Sequence, residues 1–159
     1  MGGLFALIYA AVRGRLGPDR QGPLALLVAG GLFVGAVLVP FLKYPANPPA
    51  VGDPDTIATR TILYLVMIAI SLLAMLAAAR IAQGAPGSPG WLKPLAGVGT
   101  FVMTVGVAFA VLPADGGAPD GFPPNLLWDF RLASLAVQLT LWSVIGSLFA
   151  VVVGGAREG

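Results

Sequence analysis

Residues 42–61 read Leu-Lys-Tyr-Pro-Ala-Asn-Pro-Pro-Ala-Val-Gly-Asp-Pro-Asp-Thr-Ile-Ala-Thr-Arg-Thr, and the rest of the chain is organised around them. Pro45, Pro48, Pro49 and Pro54 forbid a regular helix here, because proline lacks an amide hydrogen and restricts the residue before it. Lys43, Asp53, Asp55 and Arg60 make the same stretch polar. Long apolar runs flank it on both sides. A polar, stiff, non-helical segment pinned between two membrane spans has to lie at a membrane face or along a wet cavity, since lipid cannot satisfy open backbone groups. The stretch reads as a shaped polar lid.

Composition agrees with that setting. Of 159 residues, 57% are hydrophobic and only 10% charged, with a mean hydropathy of +0.89. A soluble domain carries about 25% charged residues, so this chain has too few to cover a water-facing surface. The net charge of +2 is small, and no basic patch suggests nucleic-acid binding. There is no Cys, hence no disulfide or thiolate chemistry, and no His, the commonest transition-metal ligand and general base. Any metal handled by these residues meets carboxylates, amides, carbonyls, thioethers or water, a set that favours weak binding of hard ions.

The apolar segments fall at about 1–12, 23–42, 57–82, 92–113 and 126–153. The last four reach the ~20 residues that cross a bilayer. The first is half that length and ends at Arg13 and Arg15; it reads as the second half of a span whose beginning precedes this chain, or as a short, tilted or re-entrant helix. Its charges follow the apolar stretch, unlike those of a signal peptide. The fold class expected is all-α: an integral membrane helical bundle of four full transmembrane helices plus a short N-terminal apolar helix, forming a single transmembrane domain over residues 1–159. In the second segment Gly31 and Gly35 stand in GxxxG register, which permits close helix approach, and Pro40 is expected to kink its end. Asp55 is a candidate cap for the third.

Basic residues set the orientation. With alternating crossings, Arg13, Arg15, Arg20, Arg80, Lys93 and Arg157 share one side, which should be cytoplasmic together with the C-terminus. Asp53, Asp55, Asp115, Asp120 and Asp129 share the other, with Lys43, Arg60 and Arg131 near span ends, so the proline-rich loop at 43–56 should face outward from a bacterial plasma membrane.

Two spans open at that outer face with both signs of charge. Arg60 and Arg131 lie about a turn inside their helices, where a charge is costly unless it snorkels or finds a partner. Asp53, Asp55 and Asp129 are the carboxylates on the same side. The expectation is an ion-paired cluster beneath the proline loop, which either staples two helix ends to that loop or receives an ion. Deeper in, Arg60, Tyr64, Met67, Ser71 and Met75 recur along one helical face. Arg131, Ser134, Gln138 and Trp142 do so on the last span, and Thr100 stacks on Thr104 in the fourth. These polar groups read either as interhelical hydrogen bonds or as a polar path, with the methionines as packing or as soft contacts. No phosphate-binding loop of the form GxxxxGK[ST] is present, nor HExxH, nor GxSxG. All the acids lie near span ends, so no enzymatic site is expected.

Val39-Pro-Phe-Leu-Lys-Tyr-Pro-Ala-Asn-Pro-Pro-Ala-Val-Gly-Asp-Pro-Asp-Thr-Ile57, followed by Arg60-Thr-Ile-Leu-Tyr64, resembles the CbtA family of cobalt transporter subunits. Leu127-Trp-Asp-Phe-Arg-Leu-Ala-Ser-Leu135, with Gln138 and Trp142, is similar to the same family's last span, and Leu4-Phe-Ala-Leu7 with Arg15-Leu-Gly17 to the end of an earlier one. The family usually opens with a further span and a His-containing acidic loop, neither of which has a counterpart here. The resemblance implies cobalt as the transported ion, no tightly bound cofactor, a lipid bilayer as surroundings, and a small single-span partner of the CbtB type; it leaves a homo-oligomer open. The reading that follows is an integral membrane subunit of a divalent-metal transporter. Asp53, Asp55, Asp129 and Asn47 would meet the ion. Lys43, Arg60 and Arg131 would hold the acids, and Tyr64, Ser71, Thr100, Thr104 and Gln138 would offer oxygens further in. The rival is a scaffold subunit that passes no ion and docks through the glycine-lined face of the second segment.

Overall fold

The structure is a computed structural model that describes residues 2–49, 51, 56–84, 89–114 and 121–155. Among the described residues every regular element is helical: α1 (Gly2–Val12), α2 (Gln21–Phe33), a π-helical segment (Val34–Leu38), α3 (Val39–Lys43), α4 (Ile57–Gln83), α5 (Leu92–Val111) and α6 (Pro124–Gly155). Gln21–Lys43 taken together, α4, α5 and α6 are each long and apolar enough to cross a membrane, and α1 is a shorter apolar helix. This is the all-α architecture expected from the hydropathy. The helix ends follow local chemistry. Pro124 starts α6 where a missing amide costs nothing. At α5 the amide of Leu112 closes on Ala108 O at 2.9 Å, and Pro113 then prevents another turn. Asp55, the candidate cap of α4, lies outside the described residues; Thr56 occupies the N-cap position and makes no side-chain cap bond.

Near the end of the second span, where Pro40 is expected to kink the helix, the backbone widens to the i→i+5 register over Val34–Leu38 before resuming as α3 with Pro40 near its start. A proline inside a helix removes one amide and crowds the carbonyl a turn earlier. The widened turn includes Ala36, whose carbonyl is the one that Pro40 crowds.

The chain divides into two units, Met1–Val34 with Val137–Gly159, and Gly35–Ala136. In the first, Phe5 and Tyr9 of α1 meet Phe149 of α6 edge-on, at ring-centroid distances of 5.0 and 4.9 Å. The Tyr9 hydroxyl donates to Gln21 O at 3.3 Å. Leu24, Ala25, Val28, Ala29 and Leu32 form the buried stripe of α2. A Cβ on Gly146 would stand 2.6 Å from Ala29 Cβ, so only glycine allows α6 to approach α2 this closely.

In the second unit α4 packs along α5. A Cβ on Gly97 would stand 2.7 Å from the Ala78 carbonyl oxygen, and the missing side chain lets the two backbones meet. Met67, Ser71 and Ala74 are the buried residues of α4. The outward surfaces carry exposed Leu65, Leu73, Val102 and Val107, as a lipid-facing helix should.

Candidate functional site: the underside of the proline segment

α5 ends in carbonyl groups that have no intrahelical donor. Phe109 O is one of them, and Lys43, the last residue of α3, donates to it from Nζ at 2.8 Å. The ammonium also lies 5.9 Å from the ring centroids of both Tyr44 and Phe109. A cation at a helix C-terminus is favoured by the helix dipole as well as by the hydrogen bond. The next residue, Tyr44, is buried and donates its hydroxyl to Pro113 O at 2.9 Å. From α6, Arg131 donates through Nε to Ala46 O at 3.2 Å and through Nη2 to Asn47 Oδ1 at 3.1 Å. A turn follows, closed by the Val51 amide on Pro48 O at 3.1 Å. Side-chain donors from Lys43, Tyr44 and Arg131 thus clamp residues 43–47 to the end of α5 and the first turns of α6. Prolines leave carbonyls without neighbouring amides, so donors of this kind are what the segment requires.

The clamped segment roofs a cavity of about 450 Å³. Its walls include Tyr44, Asn47, Arg60, Thr61 and Tyr64, with Phe41, Pro45 and Leu65 among the apolar lining. Arg60 and Tyr64 are half-buried there, and the Thr61 hydroxyl donates back to Ile57 O at 2.8 Å. Continuing along the same face of α4, Met67 and Ser71 are both fully buried. Arg60, Tyr64, Met67 and Ser71 therefore do share one inward face, as their spacing indicates.

The remaining candidates distribute as follows. Asp53 and Asp55 lie outside the described residues, as do Asp115 and Asp120. Asp129 is exposed in the second turn of α6. Asn47 has its amide oxygen engaged by Arg131, and an oxygen already facing a guanidinium is a poor ligand for a second cation. Thr100 donates to Ala96 O at 2.9 Å and Thr104 to Thr100 O at 2.8 Å, and Thr104 is exposed. Met103 is 68% exposed, which puts it on the outer surface of α5. Among the described residues no three acidic, His or Cys side chains gather as a metal-binding group. In the unit formed by Met1–Val34 and Val137–Gly159, Gln138 keeps its Oε1 buried without a hydrogen-bond partner.

Sequence reasoning missed the carbonyl clamp. It assigned Lys43 and Arg131 to aspartates because charge attracts charge, whereas the observed acceptors are main-chain and amide oxygens. Part of the signal was available in Pro113, which has no amide to offer Phe109 O four residues back. It also missed Tyr44, whose hydroxyl is the middle donor of the three.

No curated protein and no solved structure matches the chain. The family model described as "Probable cobalt transporter subunit (CbtA)" matches residues 1–154, nearly the whole length. Its helices of membrane-crossing length, its proline segment and this match together identify the chain as a member of the CbtA family of probable cobalt transporter subunits.

Proposed function

We propose that the chain is the membrane-embedded part of a cobalt transporter that receives the ion beneath the proline segment, on the outer face of a bacterial plasma membrane, and passes it inward along the Tyr64–Ser71 face of α4. The observation that carries this reading is the cavity under the clamped segment, where Asn47, Arg60, Thr61 and Tyr64 place polar groups in a largely apolar wall. Two of its walls, Val51 and Ile57, bracket Asp53 and Asp55 in the sequence. Those carboxylates, with Asp129, are the groups suited to a hydrated divalent ion; oxygen donors of this kind bind hard cations weakly enough to release them. A cavity of about 450 Å³ has room for an ion that keeps its water shell, each water occupying about 30 Å³. Lys43 and Arg131 shape the roof, and Arg60 balances the acids. Thr100 and Thr104 offer hydroxyl oxygens along α5, though both hydrogens are already given to carbonyls.

The test is uptake of radiolabelled cobalt by cells that make Asp53→Asn, Asp55→Asn or Asp129→Asn at wild-type levels in the membrane. Loss of uptake in the loop variants supports the reading. Unchanged uptake in all three removes the carboxylates from the path.

The scaffold reading draws on a different observation. Gly30 of α2 borders a second cavity of about 210 Å³ and has nothing within 4 Å of a built Cβ, a notch that suits a neighbouring helix. Purification in mild detergent separates the two: a stoichiometric large partner, with no metal-dependent phenotype on deletion, favours the scaffold.

A further inference from the structure

Near the middle of the 32-residue α6, Gln138 Oε1 and Trp142 Nε1 are both buried and neither has a hydrogen-bond partner among the described residues. They stand four residues apart, on one face of the helix. Trp142 is only 9% exposed. Other span hydroxyls behave differently: Thr61, Thr100, Thr104 and Ser134 each donate to the carbonyl four residues back. Helix geometry therefore answers those groups locally and leaves this pair unanswered. Lipid offers no hydrogen bonds at such a height, so two orphaned polar atoms call for an occupant.

The pair's chemistry selects the occupant. One group is a donor and the other an acceptor. A bare cation at the amide oxygen would face the positive end of the indole N–H, and an anion at the N–H would face the amide oxygen. A neutral molecule that accepts once and donates once fits both. Water does so, and it commonly bridges buried groups that are otherwise unsatisfied. Space is at hand, since Trp142 also lines the cavity of about 210 Å³ between α2 and α6, alongside Ser143 and Ser147. The wall is otherwise largely apolar, so those two hydroxyls and the indole N–H are the polar groups it offers a water, with the Gln138 amide oxygen one helical turn from Trp142.

We infer that Gln138 and Trp142 hold an internal water molecule, which accepts from the indole N–H and donates to the amide oxygen, making a hydrated step halfway along α6. The inference does not depend on which ion the protein moves.

Fluorine NMR of the full chain in lipid nanodiscs, labelled with fluorotryptophan, tests this. The Trp142 signal is assigned by its loss in Trp142→Phe. Exposed Trp91 at the start of α5 serves as the water-contact reference. The expected result is a solvent isotope shift of the Trp142 signal between ordinary and heavy water, similar to that of Trp91. Gln138→Leu should abolish it and leave Trp91 unchanged. A Trp142 signal with no isotope shift in the unmodified chain overturns the proposal, and that measurement needs no variant at position 138. A shift that survives intact in Gln138→Leu overturns the bridge.

Discussion

The Ser71 hydroxyl donates to the carbonyl oxygen of Gly35, joining the middle of α4 to the π segment of the second span. Its alternative acceptor is Ile68 O on its own helix, at 3.0 Å. The link has a cause in the sequence. In the i→i+5 register the amide that would serve Gly35 O belongs to residue 40, and Pro40 has none. Ser71, fully buried, supplies the missing donor.

Ser71→Ala should therefore leave Gly35 O unsatisfied in a medium without water, and destabilise the fold by about 1–3 kcal/mol. Pro40→Ala would restore an amide at residue 40. In the double variant the serine should matter much less, giving a coupling energy of about 1 kcal/mol in a thermal or denaturant unfolding cycle. Additive losses would mean that the serine acts through something other than the carbonyl freed by the proline.

The fold was legible because membrane helices are specified by length and hydropathy, and both survive without tertiary knowledge. Arg80, Trp91 and Pro113 stand at the ends of residues 57–82 and 92–113, a charge, an indole that favours the membrane interface and a helix breaker. The π segment was not legible, since Pro40 alone does not say whether a helix bends, breaks or widens. The candidate site was half legible. The spacing of Arg60, Tyr64, Met67 and Ser71 assigns them to one face correctly, because a helix has a fixed period. The acceptors of Lys43 and Arg131 were hidden, because Phe109 O, Ala46 O and Asn47 Oδ1 are brought to them by tertiary packing over 66 to 85 residues of sequence.

Gly97 gives a packing prediction with an internal control. Gly97→Ala drives a methyl group into the Ala78 carbonyl, 2.7 Å away, and should cost about 1–3 kcal/mol through separation of α4 and α5. Gly99, two residues on, has nothing within 4 Å of a built Cβ. Gly99→Ala should be neutral or slightly stabilising, because alanine is the better helix former by about 1 kcal/mol. Thermal unfolding in detergent compares them, and equal effects at the two positions would contradict the close contact.

The acceptors in the clamp also predict a pH response. Lys43 bonds to a main-chain carbonyl and Arg131 to a carbonyl and an amide oxygen. None of these acceptors takes up a proton in the carboxylate range near pH ~4. Neither bond therefore gains or loses stability as pH falls through that range. The destabilisation caused by Lys43→Met, or by Arg131→Gln, should be the same at about pH 7 and about pH 4. Had carboxylates been the partners, it would shrink at the lower pH. Unfolding measurements on the two variants at both pH values decide the matter.

Asp129 separates structure from transport. It is exposed in the second turn of α6, and an exposed carboxylate of this kind contributes within about 0.5 kcal/mol to stability. Asp129→Asn should therefore unfold at the temperature of the parent chain and reach the membrane in equal amount. Two residues along, Arg131 is half-buried and holds Ala46 and Asn47. Arg131→Gln should lower stability by about 1.5–3 kcal/mol, the range for hydrogen bonds from charged donors, and loosen the roof of the cavity. If Asp129 meets the ion, its substitution lowers cobalt uptake while the protein remains as stable as before. If uptake falls only in variants that also lose stability, the acid is dispensable and the proline roof alone controls transport. Uptake and unfolding measured on the same preparations of both variants separate these outcomes.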